Sequence, residues 1–167
     1  MEFYEAKRVS PSTPPHERTV LLETLDWLRQ LIIDGCETLS DEQARTSLVA
    51  SKTTPLGIVR HLVAVEHYWF RYVLCDGEMS DDWRDGGDGD PEWDVAGLGV
   101  HPVLDTYRAT ISEVNSLIGN VDLDAMSINT RHGECVSLRW ILVHMIEETA
   151  RHSGHMDILV EQLHSKE

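Results

Sequence analysis

The stretch Ser137–His164, SLRWILVHMIEETARHSGHMDILVEQLH, decides the fold. Its apolar residues recur at helical spacing: Leu138, Ile141, Leu142, Met145, Met156, Leu159 and Leu163, with Thr149 on the same line. Such a stripe describes one long amphipathic helix with a face in a core, and Ser137 stands before it as an N-cap. Glu148 and His152 fall on that stripe, with His144 one turn before Glu148 and His155 three residues after His152. Ionisable groups on a core-facing stripe cost free energy unless they are paired, hydrogen-bonded or bound to a metal. Residues four apart stand about 6 Å apart along a helix axis and nearly in line. A Glu148 oxygen and a His152 nitrogen can therefore reach one ion.

Working outward, Thr54-Pro55 is a strong helix start, a cap residue followed by proline at the first helical position. The helix it opens runs to about Cys75, with Ile58, Leu62, Val65, Trp69 and Tyr72 on one face. His61 shares that face, while Glu66 and His67 adjoin it and are read at its edge. An earlier helix spans about Thr19 to Glu37, with Val20, Leu21, Leu25, Leu28, Leu31 and Ile32 as its apolar side. Ser40 and Gln43 then form a capping box for a short turn. A further helix starts near Val100 or Pro102 and ends around Gly119, burying Val103, Leu104, Tyr107, Ile111, Val114 and Leu117. The polar segment 129–136, with Gly133, reads as a turn or small hairpin. Four long amphipathic helices and no strand-rich region predict an all-α four-helix bundle. It forms one domain over residues 19–167, after a proline-containing arm over 1–18.

The charge narrows the function. With 29 acidic and 14 basic side chains the net charge is −15, which repels phosphate backbones and anionic headgroups. Nucleic acid and membranes are poor partners for such a surface. Residues 76–94 carry nine of the acids and one base, Arg84, and read as a long solvated loop. A calcium site there is disfavoured, because Pro91 and the irregular acid spacing do not fit an EF-hand. Cys36, Cys75 and Cys135 are odd in number and form no CxxC pair. No apolar run reaches membrane-spanning length, and MEFYEAKRVS has no signal-peptide core. The simplest setting is a reducing cytoplasm with free thiols.

His61 from the second long helix, with Glu148 and His152 from the last, make a mononuclear metal site with positions left open for substrate or water. The competing reading pairs Glu148 with His152 as a local ion pair and leaves His61 a hydrogen-bonded core histidine. Finding all three on inward faces of two helices favours the metal. His144 is a rival ligand, better read as supporting a ligand or lining the pocket, and His155 hydrogen-bonds to a ligand, lines the pocket or simply packs. Trp69 and Trp140 read as core; His16, His101, His132 and His164 read as surface. The chain has no GxSxG, P-loop, GxGxxG or HExxH motif. A dinuclear carboxylate oxygenase needs paired Glu-x-x-His motifs, which the Glu148/His152 spacing does not supply.

The segments TTPLGIVRHLVAVEHYWF (53–70) and SLRWILVHMIEETARHSGHMDIL (137–159) resemble the DinB-like superfamily of four-helix bundles, in its small single-domain branch. The resemblance runs from about Thr19 to Leu163. It implies a divalent metal held by one histidine on the second helix and two residues four apart on the last, here His61, Glu148 and His152. With glutamate in the middle, the set is similar to the metal-binding N-terminal domain of mycothiol-dependent maleylpyruvate isomerase. That likeness implies a thiol-dependent transferase or isomerase acting with a low-molecular-weight thiol of the mycothiol type on an electrophilic substrate. Two imidazoles and one carboxylate leave a divalent ion a net charge of about +1, suited to a thiolate as the next ligand. The chain's own cysteines are poorly placed, so the thiol arrives as a small molecule. Zinc is the first choice of ion and nickel the second. A homodimer through helix faces is expected. The alternatives are a non-catalytic, dimerising or ligand-binding bundle and a hydrolase using metal-bound water.

Overall fold

Two side-chain oxygens start the helices that carry the candidate ligands. Thr54 Oγ1 accepts from the Gly57 amide at 2.9 Å, and Ser137 Oγ accepts from the Trp140 amide at 3.2 Å. The computed structural model describes residues 16–51, 53–78 and 93–165. Most of the expected arm, and the stretch 79–92 weighed for calcium, lie outside the described residues. The helices are α1 (Glu17–Glu37), α2 (Asp41–Ala44), α3 (Pro55–Glu66), α4 (Val100–Ile118) and α5 (Leu138–His164). Ser40 and Gln43 close a reciprocal capping box on α2. Asp41 also accepts from the first amide of α4, Val100 N, at 2.8 Å, so the short helix sets where a long one begins. The four long helices make the all-α bundle predicted by the periodicity.

Helix directions follow from the contacts. Arg18 at the start of α1 donates to Val121 O at 2.6 Å, just past the end of α4, and Glu17 pairs with Arg139 at the start of α5 at 3.4 Å. Further along, a Cβ on Gly35 would lie 2.9 Å from Met156 Cγ, so glycine permits close approach of α1 to α5. These two helices are therefore parallel neighbours, and α3 and α4 run the other way, packed on each other. The order is up, down, down, up. In this arrangement α3 lies antiparallel to α5, with His61 opposite Glu148 and Trp69 opposite Trp140.

The core divides into two apolar clusters. One gathers Ile32, Cys36, Leu56, Leu62, Tyr107 and Met156; the other gathers Leu25, Trp69, Phe70, Ile118, Ile141 and Met145. Along α1, α3 and α5, polar residues mark the passage from one cluster to the other: Arg29 on α1, Glu66 on α3, and Glu148 and His152 on α5. Burying these groups requires partners, and each has one.

Several expectations are corrected. Glu66 is not at an edge but is fully buried, ion-paired with the equally buried Arg29. The second long helix does not stay α-helical to Cys75. A π-helical run, His67–Leu74, follows α3 and buries Tyr68, Trp69, Phe70, Val73 and Leu74. Its wider turns bring Tyr68 inward beside Trp69, which regular α periodicity would not. In α4 the inward line is Val114 and Ile118, four apart, so Leu117 is exposed. Val20 sits in the first turns of α1 and is likewise exposed, as is Trp140, 46% accessible on the outer edge of α5. His16, His101, His132 and His164 are at the surface as expected.

Candidate metal centre

The α5 register places Glu148 and His152 one turn apart between the buried Met145 and Met156, facing α3. Three residues after Ile58, His61 meets them. Its Nε2 lies 3.1 Å from Glu148 Oε1, and His152 Nε2 lies 3.1 Å from the same oxygen. All three ligand-type atoms fall within 4.8 Å of one another. Donors held about 2.0–2.2 Å from one ion stand roughly 3–4 Å apart, so the two 3.1 Å separations suit a shared ion. Two imidazole nitrogens and a carboxylate oxygen are also the donor types that zinc and nickel take. The residues fit a divalent metal.

The electrostatics follow from that geometry. An ionised carboxylate only accepts hydrogen bonds, so both Nε2 atoms donate to Oε1 in the absence of an ion. Those bonds, from His152 first and then His61, hold the Glu148 carboxyl well below the usual carboxylate range, against the opposing effect of burial. Its other oxygen, Oε2, faces Arg151 Nη1 at 3.5 Å. His152 Nδ1 is buried with no hydrogen-bond partner among the described residues, so no hydrogen bond at that nitrogen orients the ring. Packing orients the ring instead, with His61 at 4.8 Å and the exposed His155 at 5.5 Å between centroids.

Trp93 stacks on the other side of His61, 5.1 Å away and 18° from parallel. It occupies the space left by Gly57, where a Cβ would lie 2.8 Å from the indole. Sequence reading missed Trp93 because it belongs to the acid-rich segment taken as solvated loop. A glycine in the first turn of a helix was the available signal for a close neighbour.

A cavity of about 410 Å³ opens beside Glu148, lined by His61, Val65, Trp69, Arg131, Trp140 and His144 together with His132. That volume is in the range of small-molecule sites. His144 is on its wall and not in the ligand cluster: its ring stacks on Trp140 at 5.2 Å and meets the edge of Trp69 at 4.7 Å. Burial pulls the His144 pKa down, which favours the neutral ring. His132 was read as surface and Arg131 was not singled out; both reach the cavity. None of the cysteines lines it. Cys36 is buried in the core, Cys75 follows the π-helical run, and Cys135 is exposed before α5.

No helix among the described residues is long and apolar enough to cross a membrane. No curated protein and no solved structure matches the chain. The family described as mycothiol-S-transferase does match, over residues 20–165, which takes in α1 from its second turn, the other three long helices and every residue of the cluster. The chain belongs to the mycothiol-S-transferase family, within the DinB-like superfamily.

Proposed function

We propose that this protein is a metal-dependent thiol S-transferase that joins a low-molecular-weight thiol of the mycothiol type to an electrophilic small molecule. The observation that carries the reading is the convergence of His61, Glu148 and His152 on one point at the edge of a cavity, in a chain of this family. His61, Glu148 and His152 would hold a divalent ion, with zinc preferred and nickel next. Bound there, a divalent cation lowers the pKa of a thiol ligand and so supplies thiolate at neutral pH. The chain's own residues do the rest. Glu148, held ionised by its two histidine neighbours, would reduce the charge of a divalent site from +2 to about +1, and the positive charge that remains would favour an anionic sulfur over a neutral one. Trp93 and His152 pack on the His61 ring from two sides, and Trp69, Trp140 and His144 line the cavity. In the reaction the thiol proton leaves to solvent or base and the sulfur pair forms a C–S bond. The displaced electron pair departs with a leaving group or takes up a proton.

The test is a titration of cobalt-substituted protein with small thiols. A thiolate-to-metal charge-transfer band is expected, and it should be absent from His152→Ala. If no thiol perturbs the spectrum while carboxylates or phosphates do, the transferase reading fails and metal-water hydrolysis replaces it.

A further inference from the structure

Arg131 lines the cavity that also holds Glu148, and its position is fixed from several directions. Arg131 N donates to Glu134 O at 2.9 Å and Glu134 N donates back to Arg131 O at 3.1 Å, closing a two-residue hairpin loop. His132 and Gly133 both have positive φ, 52° and 85°, the pair of left-handed residues a type I′ turn demands. The hairpin base is tied to the end of the π-helical run. Asn129 N donates to Val73 O at 3.0 Å, and Asn129 Nδ2 donates to Tyr72 O at 2.9 Å. The guanidinium then donates from Nη1 to the Tyr68 hydroxyl at 3.1 Å and lies 5.2 Å and 5.8 Å from the Tyr68 and Trp69 ring centres.

What it lacks is an acid. Arg29, Arg71, Arg108, Arg139 and Arg151 each pair with a carboxylate. Among the described residues Arg131 pairs with none, in a chain with about twice as many acids as bases. A guanidinium has five N–H donors in a planar fork matched to a carboxylate, and Tyr68 takes one. The cavity thus has two poles that attract anions: the three-ligand cluster and Arg131. The same cavity is lined by the exposed Trp140, whose ring is stacked on His144 at 12° from parallel.

We infer that Arg131 anchors a carboxylate on the second reactant, so that the cavity takes electrophiles with an acid group on a flat, conjugated body. This specificity rests on the transferase reading above, in which the sulfur occupies the other pole. The hairpin and the π-helical run together set the distance between the two ends.

The test measures binding by calorimetry, using trans-cinnamate and its neutral isostere cinnamamide on zinc-loaded and on chelator-treated protein. The wild type should prefer the acid roughly tenfold or more in both states, the size expected of a charge-assisted fork. Arg131→Gln should bring the ratio to about one, and Arg131→Lys should leave an intermediate preference, because charge remains and the fork does not. Equal binding of acid and amide, or no detectable binding of the acid, overturns the inference. So does an acid preference that disappears with the metal and ignores Arg131→Gln, since the carboxylate would then sit on the ion. A second arm compares 3-mercaptopropionate with 2-mercaptoethanol on cobalt-loaded Arg131→Gln. Selective loss of the former would put the carboxylate on the thiol and overturn the assignment to the electrophile. If the wild type shows no thiolate band yet keeps the acid preference, the transferase reading falls and the Arg131 anchor stands.

Discussion

Arg29 and Glu66 form a bidentate ion pair with neither side chain in contact with solvent: Nε to Oε1 is 2.7 Å and Nη2 to Oε2 is 2.6 Å. The pair joins α1 to α3 where the two apolar clusters meet. Arg29 Nη1 is satisfied as well, by Asp26 at 2.7 Å and Asn115 at 3.0 Å. Breaking one partner strands the other's charge in the core, which costs about 3–5 kcal/mol. Urea unfolding of Arg29→Met should show a loss of that size, and the double variant Arg29→Met/Glu66→Leu should recover most of it. A double variant no more stable than the single one would show that the pair does more than neutralise itself.

That pair also shows where sequence reading stops. The α5 stripe was legible because apolar spacing and the Ser137 cap are local, and the convergence of His61 on Glu148 and His152 followed from two such local patterns. Glu66 looked like an edge residue because its partner is 37 positions away, and nothing near it in sequence announces a buried arginine. The π-helical run was not legible either, since its wider turns depend on how Tyr68 and Trp69 pack and not on any residue type. Arg131 was missed for a related reason. Gly133 marks the turn or small hairpin over 129–136, but nothing local shows that this hairpin docks on the end of the π-helical run and so carries Arg131 to the cavity.

Cys36 should be inert in the folded protein. Burial, with a smaller effect from Glu37, pushes its thiol up to about 12. Mild alkylation followed by mass mapping should modify the exposed Cys135 first and Cys36 only on unfolding. The native state holds the Cys36 proton more tightly than the unfolded chain, in which a thiol titrates near 8.5. This contribution to stability is therefore complete below about pH 8.5 and is lost as pH rises toward 12. Cys36→Ala should show a flatter fall in stability over that range; an identical slope would contradict the burial argument.

Glu148 has the opposite sign. Its carboxyl is held down by bonds from His152 and His61, so the native state binds its proton less readily than the unfolded chain does. The stabilisation is complete above the ordinary glutamate value of about 4.3 and is lost as pH falls through the lower, folded value. In chelator-treated protein, the stability gap between wild type and Glu148→Gln should shrink as pH falls below about 4.3. A gap that widens below that pH would show that the two histidines do not bond to this carboxylate.

A metal bound only to the folded chain stabilises it by mass action, about 2.7 kcal/mol when the free ion is a hundredfold above its Kd. For a domain of this size that corresponds to roughly 5–10 °C in Tm. Chelation of loaded wild-type protein should lower Tm by about this amount and should leave His61→Ala unchanged. An equal drop in both would place the ion elsewhere.

The most direct test of the central claim is metal stoichiometry by elemental analysis, on protein purified without an affinity tag. Wild type should carry about one divalent ion per chain. His61→Ala, Glu148→Ala and His152→Ala should each carry essentially none, and His144→Ala should keep the ion. A wild-type chain that cannot be loaded, or a His144→Ala protein that is empty while His152→Ala is full, would contradict the account.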